Sequence, residues 1–220
     1  MTSAVRTGVR QALAGRLLAL ATALVVAVGL VAQLVATAGR DSGYFDSDAS
    51  RVANVFAYFT IQSNILVLVT SAALALRPLR PRGTWFWVLR LDGVLCIAVT
   101  FVVFHVALAD LQDLEGIDRL ADFLLHTASP VLCVAGWLAF GPRRRVDRRV
   151  VQLSVVFPVL WLVFTLVRGP LVGGWYPYPF LDVDDLGYPR VLLNAVLVSA
   201  LFLALAAGAR WADRQLPGGR

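Results

Sequence analysis

The chain has no lysine and few of the side chains that bind metals or form cross-links. Its twenty basic residues are all arginine, and it has two histidines and two cysteines. Because a retinal cofactor is held as a Schiff base on lysine, a retinal photoreceptor is excluded. Cys96 and Cys133 both fall within apolar stretches, where small packed side chains are expected and a disulfide is not. The two histidines lack neighbours at metal-ligand spacing, so we predict neither a metal nor a cofactor.

Charged residues are also scarce, and this scarcity indicates a membrane protein. Only 15% of the chain is charged, while 59% is hydrophobic and the mean hydropathy is +0.73. The apolar residues form blocks of about 20, the length that a helix needs to cross the hydrocarbon core of a bilayer. We predict one all-α domain over residues 1–220, an integral membrane bundle of six transmembrane helices at about 17–38, 52–76, 85–108, 120–140, 150–167 and 189–209.

The arginines are concentrated at alternate ends of these blocks, which predicts the orientation. Fifteen of the twenty lie in the N-terminal segment, in the C-terminal tail, or in or next to the second-to-third and fourth-to-fifth connections. The remaining connections carry most of the acids. By the positive-inside rule, we predict that both termini are cytoplasmic. Arginines that lie beside anionic membrane lipids then account for the pI of about 10.1. We therefore predict no nucleic-acid partner.

Two of the predicted helices each carry a stripe of polar side chains within an apolar stretch. Such groups are costly in a bilayer unless they face a protein interior or a cavity. Helical spacing places each set on one face, and Thr60 and His126 fall in the extracytoplasmic half of the bundle, near the level of His105 on the third helix. The first stripe is Thr60, Ser63, Asn64 and Ser71, and the second is Asp122, His126, Ser129 and Cys133.

The second helix supplies a hydroxyl and the fourth a histidine, which suggests nucleophilic catalysis. A hydroxyl is a weak nucleophile until a neighbouring base takes its proton, and histidine is the usual base near neutral pH. In this hypothesis Thr60 attacks, His126 accepts the proton, and Asp122, one turn earlier, fixes the imidazole tautomer. Asn64 lies one turn after Thr60 and is the expected donor to a developing oxyanion.

Structural roles for the same residues remain alternatives at this point. A threonine in such a helix commonly bonds the carbonyl one turn back, here that of Phe56, and serine or asparagine often joins neighbouring helices. His105 fits a packing or interfacial position better than a ligand position. A cavity without catalysis would make the protein a binder of lipids or small molecules. A transporter is a further alternative, although the chain lacks paired glycine-broken helices.

Three segments carry a resemblance to a known family: "YFTIQSN" at 58–64, "LLHTASPVL" at 124–132 and "WYPYPFLDVDDLGYPR" at 175–190. In their order along six helices they resemble the androgen-induced and androgen-dependent TFPI-regulating family, and more closely its actinobacterial branch. The resemblance implies a six-helix membrane hydrolase that cleaves fatty acid esters of hydroxy fatty acids. In that family a threonine on the second helix is the nucleophile and a histidine on the fourth is its partner, roles that map onto Thr60 and His126.

The resemblance also implies a substrate and further site residues. A fatty ester with a free carboxylate would place its chains against apolar walls and its head group beside Arg168 or Arg190. Tyr178 belongs to the third matching segment. The implied location is the cell membrane of a high-GC bacterium. Beyond Thr60 and His126, the predicted supporting or substrate-binding residues are Asn64, Asp122, Ser63, Ser129, His105, Arg168, Tyr178 and Arg190.

Overall fold

The computed structural model describes residues 3–40, 43–78, 80–111 and 113–217, with side chains from residue 8 onward. The fold is all-α, with 82% of residues in helices and no strand in these ranges. The elements are α1 (Ser3–Ala38), α2 (Asp48–Val55), α3 (Phe59–Leu76), α4 (Thr84–Ala107), α5 (Gly116–Phe123), a π-helical turn (Leu124–Ala128), α6 (Ser129–Phe140), α7 (Arg148–Ser154), α8 (Val156–Leu171) and α9 (Val183–Gln215). Short 3₁₀ turns lie at Ala109–Leu111 and Pro179–Leu181.

Six helical segments are long and apolar enough to cross a membrane, which confirms the predicted number. Most extend beyond the predicted limits, because the helices continue into polar residues that a search for apolar blocks leaves out. Arg6, Asp41 and Arg220, which contribute to the predicted orientation, lie outside the residues whose side chains are described. The segments are Gly8–Ala38, Phe59–Leu76, Thr84–Ala107, Gly116–Phe140, Arg148–Leu171 and Val183–Gln215.

The second predicted helix, 52–76, is not continuous in the structure. It divides into α2 and α3, with a turn at residues 56–58. Two side chains satisfy carbonyls that the turn leaves without helical partners: Gln62 donates to Phe56 (2.9 Å) and the Trp161 indole donates to Ala57 (2.9 Å). Thr60 is therefore the second residue of a new helix. The prediction that it lies well inside a long helix is wrong.

The fourth span also departs from regular α-helix, at the turn that holds His126. The π-helical turn Leu124–Ala128 is followed at once by Ser129 and Pro130, and the Ser129 N–H donates to the carbonyl of Leu124, five residues earlier. Proline has no N–H and its ring crowds the carbonyl four residues before it, here that of His126. The wider turn accommodates Pro130, and such bulges are frequent at functional sites.

The helices pack around α3 and α4, with α1 lying along α3, α5 and α6 on one side. The largest core cluster joins α4 to α7 and α9, through Leu91, Leu95, Val150, Phe202 and Ala206. We call the end of the bundle with residues 39–40, 43–58, 108–111, 113–115 and 172–182 the acidic end. The opposite end, with residues 77–78, 80–83 and 141–147, is the arginine-rich end. A cavity separates α8 from α4 and α9 near the acidic end.

Candidate functional site

The Thr60 hydroxyl contacts side chains from two distant parts of the chain. Its Oγ1 lies 3.2 Å from Nε2 of His126 and 3.2 Å from the hydroxyl oxygen of Tyr178. The Phe56 carbonyl, the alternative partner suggested by the sequence, accepts from Gln62 instead. Because the chain turns between Phe56 and Thr60, no helical turn brings that carbonyl to the threonine. The break in the second span thus leaves the Thr60 hydroxyl available to other elements.

His126 connects Thr60 to an acid. Its Nδ1 lies 2.9 Å from Oδ1 of Asp122 and 3.2 Å from the Asp122 carbonyl oxygen. Two acceptors beside Nδ1 favour the tautomer with its proton there, which leaves the lone pair of Nε2 directed at Thr60. The ring stacks on Phe104 with centroids 4.2 Å apart and planes 12° from parallel. Hydroxyl, imidazole and carboxylate are therefore aligned in the order of a nucleophile, a base and an acid that orients the base.

Tyr178 enters the site from the segment between α8 and α9. The Thr60 backbone N–H donates to its hydroxyl (3.1 Å), in addition to the contact with Thr60 Oγ1. Its ring is enclosed by three aromatic neighbours, Tyr58, Trp161 and Phe180, at centroid distances of 5.8, 6.0 and 5.3 Å. Burial raises the pKa of Tyr178 to about 12, so the phenol is protonated at neutral pH. Only the family resemblance had drawn attention to this residue.

The segment that carries Tyr178 is anchored at several points. Asn194 on α9 donates to the Phe180 carbonyl (2.8 Å), and Tyr44 donates to the carbonyls of Val172 and Gly173. Gly173 and Gly174 have φ of 81° and 89°, a region in which most side chains are disfavoured. The chain can therefore turn sharply after α8 and place residues 175–181 over the end of the bundle.

Three of the predicted supporting residues are buried beneath the site. The Asn64 amide donates to the carbonyls of Thr60 (2.9 Å) and Leu125 (3.2 Å), and Ser129 donates to its oxygen (2.7 Å). Ser63 donates to the carbonyl of Phe59 (2.7 Å). The Asn64 amide is committed to the backbone, so these contacts do not support the predicted oxyanion role. They instead join α3 to the π-helical turn and hold Thr60 and His126 together.

The other predicted residues lie away from Thr60. His105 is exposed, with Nδ1 against the Phe101 carbonyl (2.8 Å) and Nε2 against the Thr127 hydroxyl (3.3 Å). Arg168 donates to the Asn54 side chain (2.7 Å) and covers the rings of Phe45 and Trp175. Arg190 is exposed, and neither arginine lines a cavity that contains Thr60. The expectation that Arg168 or Arg190 meets a substrate head group has no support in this arrangement.

Thr60, His126 and Tyr178 lie where two cavities meet. The first, which we call the chamber, has a volume of about 160 Å³ and is lined mainly by apolar side chains of α4, α8 and α9, including Val103, Leu162, Val198 and Phe202. The second, which we call the vestibule, has a volume of about 840 Å³ and lies at the acidic end. Both are lined by the same three residues together with Phe104 and Leu108.

Besides Asp122, the vestibule is lined by charged residues that the sequence interpretation did not assign to the site. Arg40 forms an ion pair with Asp118 (2.5 Å), and Arg51 and Arg119 also line this cavity. The signal available in the sequence was that Arg40, Arg51 and Arg119 are among the five arginines outside the arginine-rich segments. Among the described residues, no group of three or more histidine, cysteine or acidic side chains is close enough to hold a metal.

Comparisons with known proteins do not assign the chain to a family. No family model, no curated protein and no solved structure matches it. A hydroxyl, an imidazole and a carboxylate are aligned at the boundary between an apolar space and a polar one, an arrangement suited to nucleophilic attack on an amphipathic substrate.

Proposed function

We propose that the protein is a membrane-embedded ester hydrolase that cleaves lipid esters such as fatty acid esters of hydroxy fatty acids. Thr60 is the nucleophile, His126 the general base and Asp122 the acid that orients the imidazole. The observation that carries this proposal is the 3.2 Å contact between Thr60 Oγ1 and His126 Nε2 at the junction of the chamber and the vestibule. The 2.9 Å contact between Asp122 and the other ring nitrogen supports it.

The first half of the reaction transfers the acyl group to Thr60. As Oγ1 forms a bond to the ester carbonyl carbon, its proton passes to Nε2 of His126 and the carbonyl electron pair moves onto oxygen. When the carbonyl re-forms, the bond to the alcohol oxygen breaks, and His126 returns its proton to that oxygen. Asp122 beside Nδ1 stabilises the imidazolium between these two transfers. The products of this half are a free alcohol and an acylated Thr60.

The second half uses water to release the acid. His126 removes a proton from water as the water oxygen attacks the acyl carbon, and the bond to Thr60 Oγ1 breaks as that oxygen regains a proton. The vestibule, with its polar lining, is the route for water to the same carbon. The chamber holds the acyl chain away from water during this step. Thr60 and His126 end in their starting protonation states.

The outer surface of the bundle supports a location in a membrane. Large aliphatic side chains are exposed along the outer helices, where hydrocarbon would cover them. The chamber lies between α8 and α9, so a lipid can reach it laterally. The charge distribution supports an extracytoplasmic acidic end and cytoplasmic termini. Exposed examples are Leu24, Val28, Val31 and Val35 on α1, Leu160, Val163 and Val167 on α8, and Leu193, Val196 and Leu197 on α9.

A second candidate function is binding of an amphipathic lipid without cleavage. The same two cavities favour it, because an apolar chamber joined to a charged vestibule fits a tail and a head group whether or not a bond is broken. A binder has no need for a hydroxyl and an imidazole in contact at the junction. We therefore rank hydrolysis first.

The test is an assay of purified protein in detergent on a branched fatty ester and on simple aryl esters. We expect Thr60→Ala and His126→Ala each to lower kcat by about 10⁴-fold or more, because nucleophile and base act as one unit. Thr60→Ser keeps a hydroxyl at the same position and should retain turnover. His105→Ala is the matched control, since this second histidine is exposed and lines neither cavity.

Two results would contradict the proposal. Turnover that survives Thr60→Ala or His126→Ala would remove these residues from the chemistry. Tight lipid binding without turnover, equal in the native protein, Thr60→Ser and Thr60→Ala, would favour the binder. Thermal unfolding of each variant in the same detergent separates lost chemistry from lost fold.

A further inference from the structure

The hydrolysis proposed above lacks one component, a donor to the oxyanion. Attack by Thr60 places a negative charge on the former carbonyl oxygen, and donors aimed at that charge commonly contribute more than any other single group. Asn64, the residue expected from the sequence, has its amide committed to the carbonyls of Thr60 and Leu125. The donor must instead lie beside Thr60 Oγ1 and face the cavities.

We infer that the Tyr178 hydroxyl is this donor, and so a catalytic residue of the proposed hydrolase. Its oxygen is 3.2 Å from Thr60 Oγ1, within reach of an oxygen bonded to the same carbon as Oγ1. It lines both the chamber and the vestibule, so it meets the ester at the junction. No other phenol is hydrogen-bonded to Thr60 among the described residues.

The hydrogen bonds around Tyr178 leave its proton free for this role. The Thr60 backbone N–H donates to the phenol oxygen (3.1 Å), so that oxygen accepts one bond and can donate another. The Thr60 hydroxyl donates to Nε2 of His126, which leaves Oγ1 as the resting acceptor of the Tyr178 proton. When Oγ1 bonds to the ester carbon, the phenol proton turns to the adjacent oxyanion.

The surroundings of Tyr178 keep this donor in place and protonated. Stacking on Phe180, with ring planes 5° from parallel, and edge contact with Tyr58 restrict the ring. The pKa of about 12, raised by burial, keeps the phenol protonated at neutral pH. The titratable groups that face it are Tyr58 and, across Thr60, His126. A fixed donor costs no reorganisation during the reaction.

The experiment compares Tyr178→Phe with Tyr58→Phe. Tyr58 is a second phenol, which packs against Tyr178 but forms no hydrogen bond with Thr60. On a branched fatty ester we expect Tyr178→Phe to lower kcat by about 100-fold with KM within about threefold, as for other single oxyanion donors. Tyr58→Phe should stay within about threefold of the native protein. This inference rests on the proposed hydrolysis, so both variants are measured beside the native protein and Thr60→Ala.

A second measurement separates a catalytic role from a structural one. The probe is a trifluoromethyl ketone with the same acyl chain as the branched fatty ester. Thr60 Oγ1 forms a bond to its carbonyl carbon, the ketone oxygen takes the negative charge, and the Thr60 proton passes to His126. Tyr178→Phe should weaken this inhibitor by about the same factor as kcat. The affinity for the matching ether, which has no carbonyl, should not change.

If Tyr178→Phe does not fold, replacing Tyr178 by 3,5-difluorotyrosine keeps the ring in place. The more acidic phenol should shift the alkaline loss of kcat to lower pH, which a purely structural residue would not do.

The outcomes are distinct. A native protein without turnover overturns the hydrolase and this inference together. A native protein with turnover, matched within threefold by Tyr178→Phe, overturns only the role of Tyr178. A loss confined to KM, with inhibitor and ether weakened equally, makes Tyr178 a substrate-binding residue and also overturns the inference.

Discussion

Two buried polar clusters lie between the same central helices, one in each half of the bundle, and they differ in what surrounds them. In the half toward the arginine-rich end, Arg90 donates to Ser71 (3.1 Å), Thr70 (3.4 Å) and Cys133 (3.7 Å). Toward the acidic end, Thr60 and His126 meet at 3.2 Å. The vestibule and the chamber both reach Thr60, and neither reaches Arg90. Open space beside the polar atoms, and not polarity alone, distinguishes a candidate site from a structural cluster.

The threonine hydroxyls also differ in whether they bond a carbonyl of their own helix. Thr70 donates to the carbonyl of Leu66 (2.8 Å), and Thr22 on α1 donates in the same way to that of Leu18 (2.8 Å). Thr60 is the second residue of α3, so the carbonyl four residues earlier, that of Phe56, lies in the turn that precedes the helix. A hydroxyl without a partner in its own helix is free to contact His126. The position of a helix start therefore decides which threonine hydroxyl can contact a side chain of another helix.

Among variants that keep both Thr60 and His126, the largest effect on kcat is expected from Asp122, and a second buried acid, Asp92, serves as its control. Asp122→Asn should lower kcat by about 10³-fold, because an amide beside Nδ1 does not hold the imidazole tautomer as a carboxylate does. Asp92→Asn, a buried acid of α4 that lines neither cavity, should leave kcat unchanged. Steady-state hydrolysis by both purified variants is the measurement. Equal losses in the two would mean that the acids act through the fold.

Arg90→Ala should affect stability and leave catalysis unchanged. Truncating this buried side chain leaves a cavity and removes the bonds to Ser71 and Thr70, at a cost of about 2–4 kcal/mol. We expect thermal unfolding in detergent to shift down by several degrees, while kcat per folded molecule stays the same. Arg190→Ala, an exposed arginine, is the control and should unfold like the native protein. A large loss of kcat in folded Arg90→Ala would remove the distinction between the clusters.

The chamber predicts selectivity for acyl chain length. Ser199 lies on α9 about a turn beyond Ala195, and both line the chamber. Ser199→Phe should fill this space and lower kcat/KM for long-chain esters by about tenfold, with acetyl esters little changed, because the volume lost lies beyond the ester carbon. Leu197→Phe is the matched control, since Leu197 is exposed on another face of α9. A uniform loss across chain lengths in Ser199→Phe would mean that the chain does not enter the chamber.

The smallest effect is expected for Thr70→Val. This change keeps the shape of the side chain but removes a hydroxyl that bonds Leu66 and receives Arg90. One lost buried hydrogen bond costs about 1 kcal/mol, so thermal unfolding should shift slightly and kcat should not change. The corresponding Thr60→Val should abolish turnover with little effect on unfolding. If the two threonines behaved alike in the assay, the proposed assignment of Thr60 would fail.

Much of the fold and the central contact could be predicted from residue order. The number of spans follows from the apolar blocks. Helical spacing placed Thr60 on one polar stripe and His126 on another, and the structure brings these two side chains into contact. The break at residues 56–58 could not be predicted, because the groups that stabilise it include Trp161, about a hundred residues away. The positions of Tyr178 and Asn194 depend likewise on how the 172–182 segment folds back.

The sequence by itself determined the all-α fold, the six apolar spans and the separation of arginines from acids, because these depend on composition and spacing along the chain. The tertiary structure alone decided that Tyr178 contacts Thr60 and that the Asn64 amide is bonded to backbone carbonyls. It also decided that two cavities meet at Thr60 and Tyr178. Those features arise where separate elements pack together. Local spacing sets which face of a helix a side chain occupies, but only packing sets what it touches and where space remains.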